Sequence, residues 1–239
     1  MSTDFQGFTV VISGAGSGIG LAVSKKLKAQ GATVFGLDLN AGELESSGAG
    51  TWVQCDIGSD ESVTQAFATI SSKVSKIDVL INNAGIGAQG GVEAATTEEW
   101  NKVLNINVIG TSRVSAAALP LLRKSPDAAI VNTCSVVATV GLPKRAIYSA
   151  SKGAILSLTL AMAADLLPEK IRVNCVNPGT SETPWIGRLL SQAADPAKER
   201  AALEARQPMG RLVSADEVAN AIIYLAHPGQ KSTTGTVLA

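Results

Sequence analysis

Tyr148 and Lys152 stand four residues apart at the start of a helical pattern, so both side chains are expected on one helix face. A phenol has a pKa of about 10 and is a poor base at neutral pH. A neighbouring cation favours the phenolate, and lowering the pKa to about 7 requires roughly 4 kcal/mol of such interaction. The pair is therefore a candidate acid–base couple, although the same spacing is also common for tyrosines on solvated helix surfaces.

A glycine-rich segment, SGAGSGIG at residues 13–20, joins a strand pattern at 9–13 to a helical pattern at 19–30. Glycines allow a sharp turn and a close approach to a pyrophosphate, and the helix N-terminus offers unpaired N–H groups to it. The spacing is GxxxGxG, because the last glycine of the usual GxGxxG would fall on Ile19. The segment predicts a dinucleotide site, with an ordinary tight turn as the alternative.

Asp38 ends the second strand pattern, about 20 residues beyond the glycines. A carboxylate at this place accepts hydrogen bonds from an adenosine ribose and repels a 2′-phosphate. Positions 13–20 and 36–40 contain no Arg or Lys that could bind such a phosphate. The pattern favours NAD over NADP as cofactor. The alternative is that Asp38 only starts a turn with Asn40.

The elements that must position these residues alternate between short apolar runs and helical patterns. Helix starts are indicated by Ser59 before two acidic residues, by Thr96 with Glu99 and by Ser214 with Glu217, the last two at capping-box spacing. Continuous apolar runs suit strands that are covered on both faces. We predict an α/β fold: a single-domain, Rossmann-type, doubly wound parallel sheet with helices on both faces. The predicted strands are residues 9–13, 33–37, 51–54, 79–82, 129–132 and 172–176.

Two helical patterns, at 154–167 and 108–122, are apolar or small nearly all the way round. Such helices either lie deep in a core or meet another subunit, and the size of the chain favours the second interpretation. The segment 185–210 carries helix formers between two sheet elements, and we predict that it is a mobile flap over a site. One domain, 1–239, is expected, because no linker or repeat divides the chain.

Composition excludes several classes of function. Charged residues balance to a net charge of zero and form no basic stripe, which argues against nucleic acid and anionic membrane surfaces as partners. The first residues show no leader pattern, and no uninterrupted run of 18 apolar residues occurs. Three dispersed cysteines and a single histidine predict no disulfide framework, no metal site and no Ser-His-Asp catalysis, and favour the cytoplasm.

Taken together, the motifs resemble those of the short-chain dehydrogenase/reductase family over nearly the whole chain, in the family's order and spacing. The matching pieces are SGAGSGIG at 13–20, Asp56-Ile57, NNAG at 82–85, Asn107, Ser135, YSASK at 148–152, and Pro178-Gly179 with Thr183.

The resemblance implies a role for each catalytic residue. Tyr148 would be the base in oxidation and the acid in reduction, and Lys152 would lower its pKa and hold the nicotinamide ribose. Ser135 would donate a hydrogen bond to the substrate oxygen. Asn107 would hold a water in a proton relay behind Lys152.

The resemblance also implies a set of cofactor contacts. Asp56 and Ile57 would flank the adenine, and Asn83 would also tie strands together, for which ordinary strand-end hydrogen bonding is the alternative. The complete predicted NAD-binding set is Gly14, Ser17, Gly18, Ile19, Gly20, Asp38, Leu39, Asp56, Ile57, Asn83, Ala84, Gly85, Tyr148, Lys152, Pro178, Gly179, Ser181 and Thr183.

Two features depart from the family's pattern. Ser181 stands where the family often has an apolar residue, so the nicotinamide contact at this position departs from the family's pattern. The family's last strand usually runs into Asp-Gly-Gly, whereas this sequence stops at Ala239, so we expect that a tail is missing from the end of the sheet.

Three arginines indicate the class of substrate. Arg145 lies three residues before Tyr148, and Arg188 and Arg206 belong to the suspected flap, as does Trp185. Guanidinium groups form forked hydrogen bonds with carboxylates. The segments PGTSETPWIGRLL and ARQPMGRL resemble those of the cytosolic 3-hydroxybutyrate and the 2-keto-3-deoxy-L-fuconate dehydrogenases. The predicted substrate is therefore a small hydroxy acid or sugar acid, bound by Ser135, Arg145, Tyr148, Trp185, Arg188 and Arg206, unless the arginines are only solvated surface groups.

Other functions remain as alternatives. The chain could be an NAD(P)H-dependent reductase of ketones or 3-oxoacyl thioesters, which Asp38 disfavours. A catalytically silent NAD-binding protein is disfavoured by the intact Asn107, Ser135, Tyr148 and Lys152. A purely structural oligomer would explain the apolar helices but not the glycine segment. The resemblance implies a homotetramer.

Overall fold

A parallel sheet of seven strands lies at the centre of the computed structural model, which describes residues 4–239. The strand order is β3-β2-β1-β4-β5-β6-β9, and every neighbouring pair is parallel. A further two-residue pair, β7 with β8, lies outside the sheet. The strands are β1 (Thr9–Ser13), β2 (Thr33–Asp38), β3 (Thr51–Gln54), β4 (Val79–Asn82), β5 (Ala129–Thr133), β6 (Arg172–Val176), β7 (Ser181–Glu182), β8 (Val213–Ser214) and β9 (Val237–Leu238).

Helices cover both faces of the sheet, as the strand patterns predict. One face packs under α2, α4 and α5, and the other under α1 and α8. Alternate residues of each strand therefore enter opposite cores: Val11 faces one and Val10 the other. The helices are α1 (Gly18–Ala29), α2 (Asp60–Ser71), α3 (Thr97–Leu104), α4 (Thr111–Leu122), α5 (Ala146–Leu166), α6 (Pro184–Ser191), α7 (Pro196–Ala205) and α8 (Ala215–Ala226).

The predicted α/β doubly wound fold is confirmed, and so are the predicted helix starts. Ser59 caps α2, and the capping boxes of Thr96 with Glu99 and of Ser214 with Glu217 are both formed. Consecutive strands run outward from β1 to β3 and then from β4 to β6 on the other side. The order reverses between β1 and β4, which is where sheets of this kind open a crevice at the carboxyl ends of the strands.

The helix predicted at 108–122 is longer and less regular than the sequence indicates. Helix α3 continues through a π-helical turn, Asn105–Gly110, into α4. Within this turn the Thr111 hydroxyl donates to the Asn107 carbonyl at 2.8 Å. Turns of this type widen a helix by one residue and frequently occur at functional sites. The apolar pattern alone does not reveal the wider turn.

Helix α5 is the long apolar helix predicted at 154–167, but it begins earlier and carries Tyr148 and Lys152 in its first turns. The stretch Ala146–Glu169 has the length and mean hydropathy (1.4) of a membrane span, a match of length and composition only. Its inner side, including Ile155, Ala163 and Leu166, is buried. The helix contacts β6 along the sheet, as a core helix of an α/β fold does.

The segment 185–210, which we call the flap segment, contains most of α6 and all of α7. The two helices pack on each other through a small apolar cluster of Ile186, Leu203 and Leu212. The segment is therefore helical rather than irregular, and its mobility stays a prediction.

All three cysteines are buried and free.

Candidate active site

A cleft of about 540 Å³ opens at the carboxyl ends of the strands, where the strand order reverses. Every residue predicted to bind cofactor or substrate lines it except Gly20, and the predicted catalytic residues line it except Asn107. The lining also includes residues that the motifs did not single out, among them Cys55, Ile86, Ile106, Thr133, Cys134, Leu142 and Thr180. Most of these residues lie within two positions of the motifs in sequence, which is the only signal that could have found them, and Leu142 lacks even that signal.

The Tyr148–Lys152 pair lies on the wall of this cleft. Lys152 Nζ is 5.8 Å from the centre of the Tyr148 ring and donates a hydrogen bond of 2.7 Å to the Thr133 carbonyl. Lys152 is only 6% exposed, and within residues 4–239 it forms no ion pair. The ammonium group and the phenol ring thus lie side by side, with no carboxylate among the described residues paired to the ammonium. The pair can therefore act as an acid–base couple.

Ser135 follows β5 and is positioned by a short 3₁₀ turn, Val136–Ala138. Its hydroxyl oxygen accepts only a long bond of 3.4 Å from the Val137 N–H, so its proton is available to a substrate oxygen. The Val136 N–H donates to the Pro178 carbonyl at 3.0 Å, which joins the loops after β5 and β6.

Asn107 lies behind the cleft rather than on its wall. Its side chain accepts from the Ile86 N–H at 2.8 Å and donates to the Ile86 carbonyl at 2.9 Å. It also donates to Ser151 Oγ at 3.0 Å, and that hydroxyl donates to the Tyr148 carbonyl at 2.8 Å. Asn107 thus ties the loop after β4 to the helix of the acid–base pair. Its predicted role in a water relay stays a prediction.

A chain of buried polar side chains holds the same helix against the sheet. Asn82 donates to Ser115 on α4 and to Asn132 on β5, both at 2.9 Å. Asn132 in turn donates to Thr159 on α5 at 2.9 Å. These bonds fix α5 relative to two strands and to α4, and hence fix where Tyr148 stands.

The glycine segment packs tightly against the loop after β4. Gly14 has a φ of +68°, and a Cβ there would lie 2.9 Å from the Ala84 Cα. A Cβ on Gly20 would lie 2.1 Å from the Gly14 carbonyl oxygen, so Gly20 allows α1 to approach the turn without itself reaching the cleft. Asn83 donates to the Ser13 and Gly14 carbonyls at 3.2 and 3.1 Å, which is strand-end bonding as the alternative interpretation expected.

The start of α1 fits a cofactor pyrophosphate. Its N-cap, Ser17, lines the cleft and makes no side-chain capping bond, unlike Thr96 and Ser214 on α3 and α8. The first N–H groups of α1 are therefore left for an anion in the cleft.

Asp38 lies across from these glycines. It accepts from the Gly16 N–H at 2.9 Å and from the Asn40 N–H at 3.4 Å. The turn with Asn40 is therefore the weaker of its two contacts, and the carboxylate also braces the glycine segment.

Among residues 4–239, no group of three or more His, Cys, Asp or Glu is arranged to hold a metal ion.

The three arginines surround the outer part of the cleft. Burial lowers the pKa of Arg145, and repulsion by Arg206 lowers it further, opposed by Tyr148 and Glu199. Both guanidinium groups belong to the lining of the same cleft. Arg188 and Arg206 are exposed, and none of the three forms an ion pair within the described part of the chain. Trp185 closes over Gly87, where a Cβ would lie 2.7 Å from its ring.

Comparison with known proteins identifies the chain's relatives. Residues 14–239 match the family model described as enoyl-(acyl carrier protein) reductase. The chain is 34% identical to 2-(S)-hydroxypropyl-CoM dehydrogenase 3 of Xanthobacter autotrophicus, covering 100% of this chain and 97% of the relative. It is 33% identical to cis-4-hydroxycyclohexanecarboxylate dehydrogenase of Sinomonas cyclohexanicum, with 100% and 97% coverage. Among solved structures, Thermoplasma acidophilum aldohexose dehydrogenase superposes with a TM-score of 0.92 at 30% identity, covering 100% and 94%.

These matches span the chain and agree with the cleft at the strand ends. The relatives are dehydrogenases and reductases that act on hydroxyl or ketone groups, and the fold binds a nicotinamide cofactor, NAD(H) or NADP(H). The chain belongs to the short-chain dehydrogenase/reductase family and is an oxidoreductase acting on CH–OH groups.

Proposed function

We propose that the protein is an NAD-dependent dehydrogenase that interconverts a secondary alcohol and a ketone on a small hydroxy acid or sugar acid. The observation that carries this proposal is the combination, in one cleft, of the Tyr148–Lys152 pair with three arginines that form no ion pair among residues 4–239. The pair supplies the acid–base chemistry. The arginines supply binding for a carboxylate on the same substrate.

The contacts of the site suggest a role for each residue in the reaction. A bound nicotinamide would supply the hydride acceptor for oxidation of the carbinol carbon and the hydride donor for reduction of the ketone. Tyr148 Oη takes the hydroxyl proton in oxidation and gives it back in reduction. Lys152 holds the phenolate through its unpaired charge, and Ser135 donates a hydrogen bond to the substrate oxygen. Gly14, Ser17 and Gly18 would hold the pyrophosphate.

The acid–base step is tested with Tyr148→Phe, which removes the transferable proton and keeps the ring. We expect kcat for NADH formation to fall by about three orders of magnitude, within the range ascribed to general acid–base catalysis. NADH binding, followed by calorimetry, should change little and serves as the control for folding. Equal turnover by parent and variant would show that the chemistry lies elsewhere.

The preference for NAD is tested with Asp38→Asn, which keeps an acceptor for the Gly16 N–H but removes the negative charge. We expect the ratio of kcat/KM for NADP to that for NAD to rise by about 10-fold or more, because the 2′-phosphate is no longer repelled. Asp216→Asn removes one charge from an exposed residue outside the cleft lining and should leave the ratio unchanged. A parent enzyme that turns over faster with NADPH would instead favour the reductase alternative.

The carboxylate is tested by assaying Arg188→Ala and Arg145→Ala with hydroxy acids, sugar acids and neutral polyols. We expect KM for the acid substrate to rise roughly 10- to 100-fold, the size of a lost hydrogen bond to a charged group. KM for a neutral alcohol should hardly change. Arg123→Ala, which removes an exposed arginine paired with Glu169, is the matched control. Turnover of neutral alcohols alone, as the aldohexose relative's name would suggest, contradicts the proposal.

We also propose that the enzyme is a cytoplasmic homotetramer, whose subunits meet on the outer faces of α4 and α5. Ile109, beside α4, and Leu160, on α5, are each 48% exposed, and no described element of the chain covers them. Burial of such faces between subunits is favourable. Light scattering should give four times the chain mass, and a monomer would contradict this interpretation of the apolar helices.

A further inference from the structure

Gln207 makes a set of contacts for which neither the motifs nor the proposed function account. It follows α7 at the end of the flap segment and is half-buried. Its Oε1 accepts from the Thr180 N–H at 3.2 Å, and its Nε2 donates to Thr180 Oγ1 at 3.0 Å. Nε2 also lies 3.4 Å from the Leu203 carbonyl. One amide side chain thus bridges α7 and the loop that follows β6.

The partner loop, Pro178 to Thr183, forms the wall of the cleft between Ser135 and the flap segment. Its backbone is also held by other ties. Strand β7, within the loop, pairs with β8. Val136 donates to the Pro178 carbonyl and Val213 to the Thr180 carbonyl, both at 3.0 Å, and Gly187 donates to the Thr183 carbonyl at 3.2 Å. Gln207 is the side chain that satisfies Thr180 at both its N–H and its hydroxyl. Gln207 therefore adds a side-chain tie at Thr180 to the backbone ties of the loop.

Gly179 is shaped to admit this contact. A Cβ at Gly179 would lie 2.4 Å from Gln207 Oε1, a distance that no side chain could occupy without displacing the amide. The glycine at this place thus leaves room for Gln207 as well as for a ligand. Gly179 and the Gln207 amide are therefore in close contact.

Gln207 also adjoins the substrate end of the cleft. Arg206, the preceding residue, lines the cleft. Burial lowers the pKa of Arg145, and the charge of Arg206 lowers it further. A second link, the ion pair of Arg200 with Glu182 at 2.8 Å, joins the same helix to the same loop on its exposed side. The flap segment and the loop are therefore mechanically connected.

We propose that Gln207 is a positioning residue for the nicotinamide half of the cofactor: it holds the Pro178–Thr183 loop in place through Thr180 and connects that loop to the flap segment. The inference rests on the proposed function and on the predicted contact of Pro178, Gly179, Ser181 and Thr183 with the nicotinamide end of the cofactor. Gln207 itself does not line the cleft and acts through the loop. Its loss should weaken binding of the nicotinamide end and spare the adenosine end, which lies at Asp38 and Asp56.

The test compares two ligands by calorimetry on the full chain. NADH reaches the loop, whereas ADP-ribose carries the same adenosine, pyrophosphate and second ribose without the nicotinamide. For Gln207→Ala we expect the Kd for NADH to rise about 10-fold, in keeping with the loss of two ordinary hydrogen bonds, and the Kd for ADP-ribose to change less than about twofold. A general loss of stability would weaken both ligands alike.

Three further variants sharpen the comparison. Gln207→Glu keeps an acceptor for the Thr180 N–H but loses the donor to its hydroxyl, and Thr180→Val removes that hydroxyl from the other side; both should give an intermediate, NADH-specific loss. If Gln207→Ala does not fold, Gln207→Glu and Thr180→Val provide the test in its place. Lys198→Ala, on the same helix, alters an exposed side chain without a hydrogen bond or ion pair within residues 4–239 and should bind both ligands as the parent does.

The outcomes separate this inference from the proposed function. A parent protein that does not bind NADH overturns the proposed function. A parent that binds NADH, with Gln207 variants that keep the parent's ratio of NADH to ADP-ribose affinity, overturns the role of Gln207 alone.

Discussion

The hydrogen bond from Lys152 Nζ to the Thr133 carbonyl is the contact on which the site depends. It joins the end of β5 to the first turns of α5, and it keeps an ammonium group almost out of solvent with no carboxylate beside it. Such a charge is costly to bury, and the protein offsets the cost with a carbonyl and with the nearby phenol of Tyr148. A carboxylate in the same place would stabilise Lys152 but would also neutralise the positive charge beside Tyr148.

Several buried polar side chains hold α5, and with it Tyr148 and Lys152, in a fixed position relative to the sheet. Asn132 connects β5 to Thr159 on α5, and Asn107 connects the loop after β4 to Ser151 on the same helix. The two contacts lie about two turns apart along α5 and so resist both sliding and rotation of the helix. A purely apolar interface would pack α5 against the sheet as well, but it would specify the position of Tyr148 less strictly.

The sequence predicts the fold and most of the site because the relevant signals are local. Six strands, the capping boxes and the order of the motifs follow from apolar runs and from spacing within a few residues. Asn107 illustrates the limit: its type and position indicate a functional residue, but only the packing of α5 shows that it lies behind the cleft. Gln207 has no local signal at all, since its partner Thr180 is 27 residues away and the contact depends on how the flap segment folds back.

The parallel sheet affects how the chain folds. No two neighbouring strands of the sheet are joined by a hairpin, so each pairing requires a crossover connection. Strand β1 pairs with β4 across about 70 residues. High contact order of this kind makes folding slow. The loops after β1, β4, β5 and β6 all contribute to one cleft, and the last arises well past the middle of the chain. During synthesis, the glycine segment would therefore emerge long before the loop after β6, and the cleft would be complete only once most of the chain had been made.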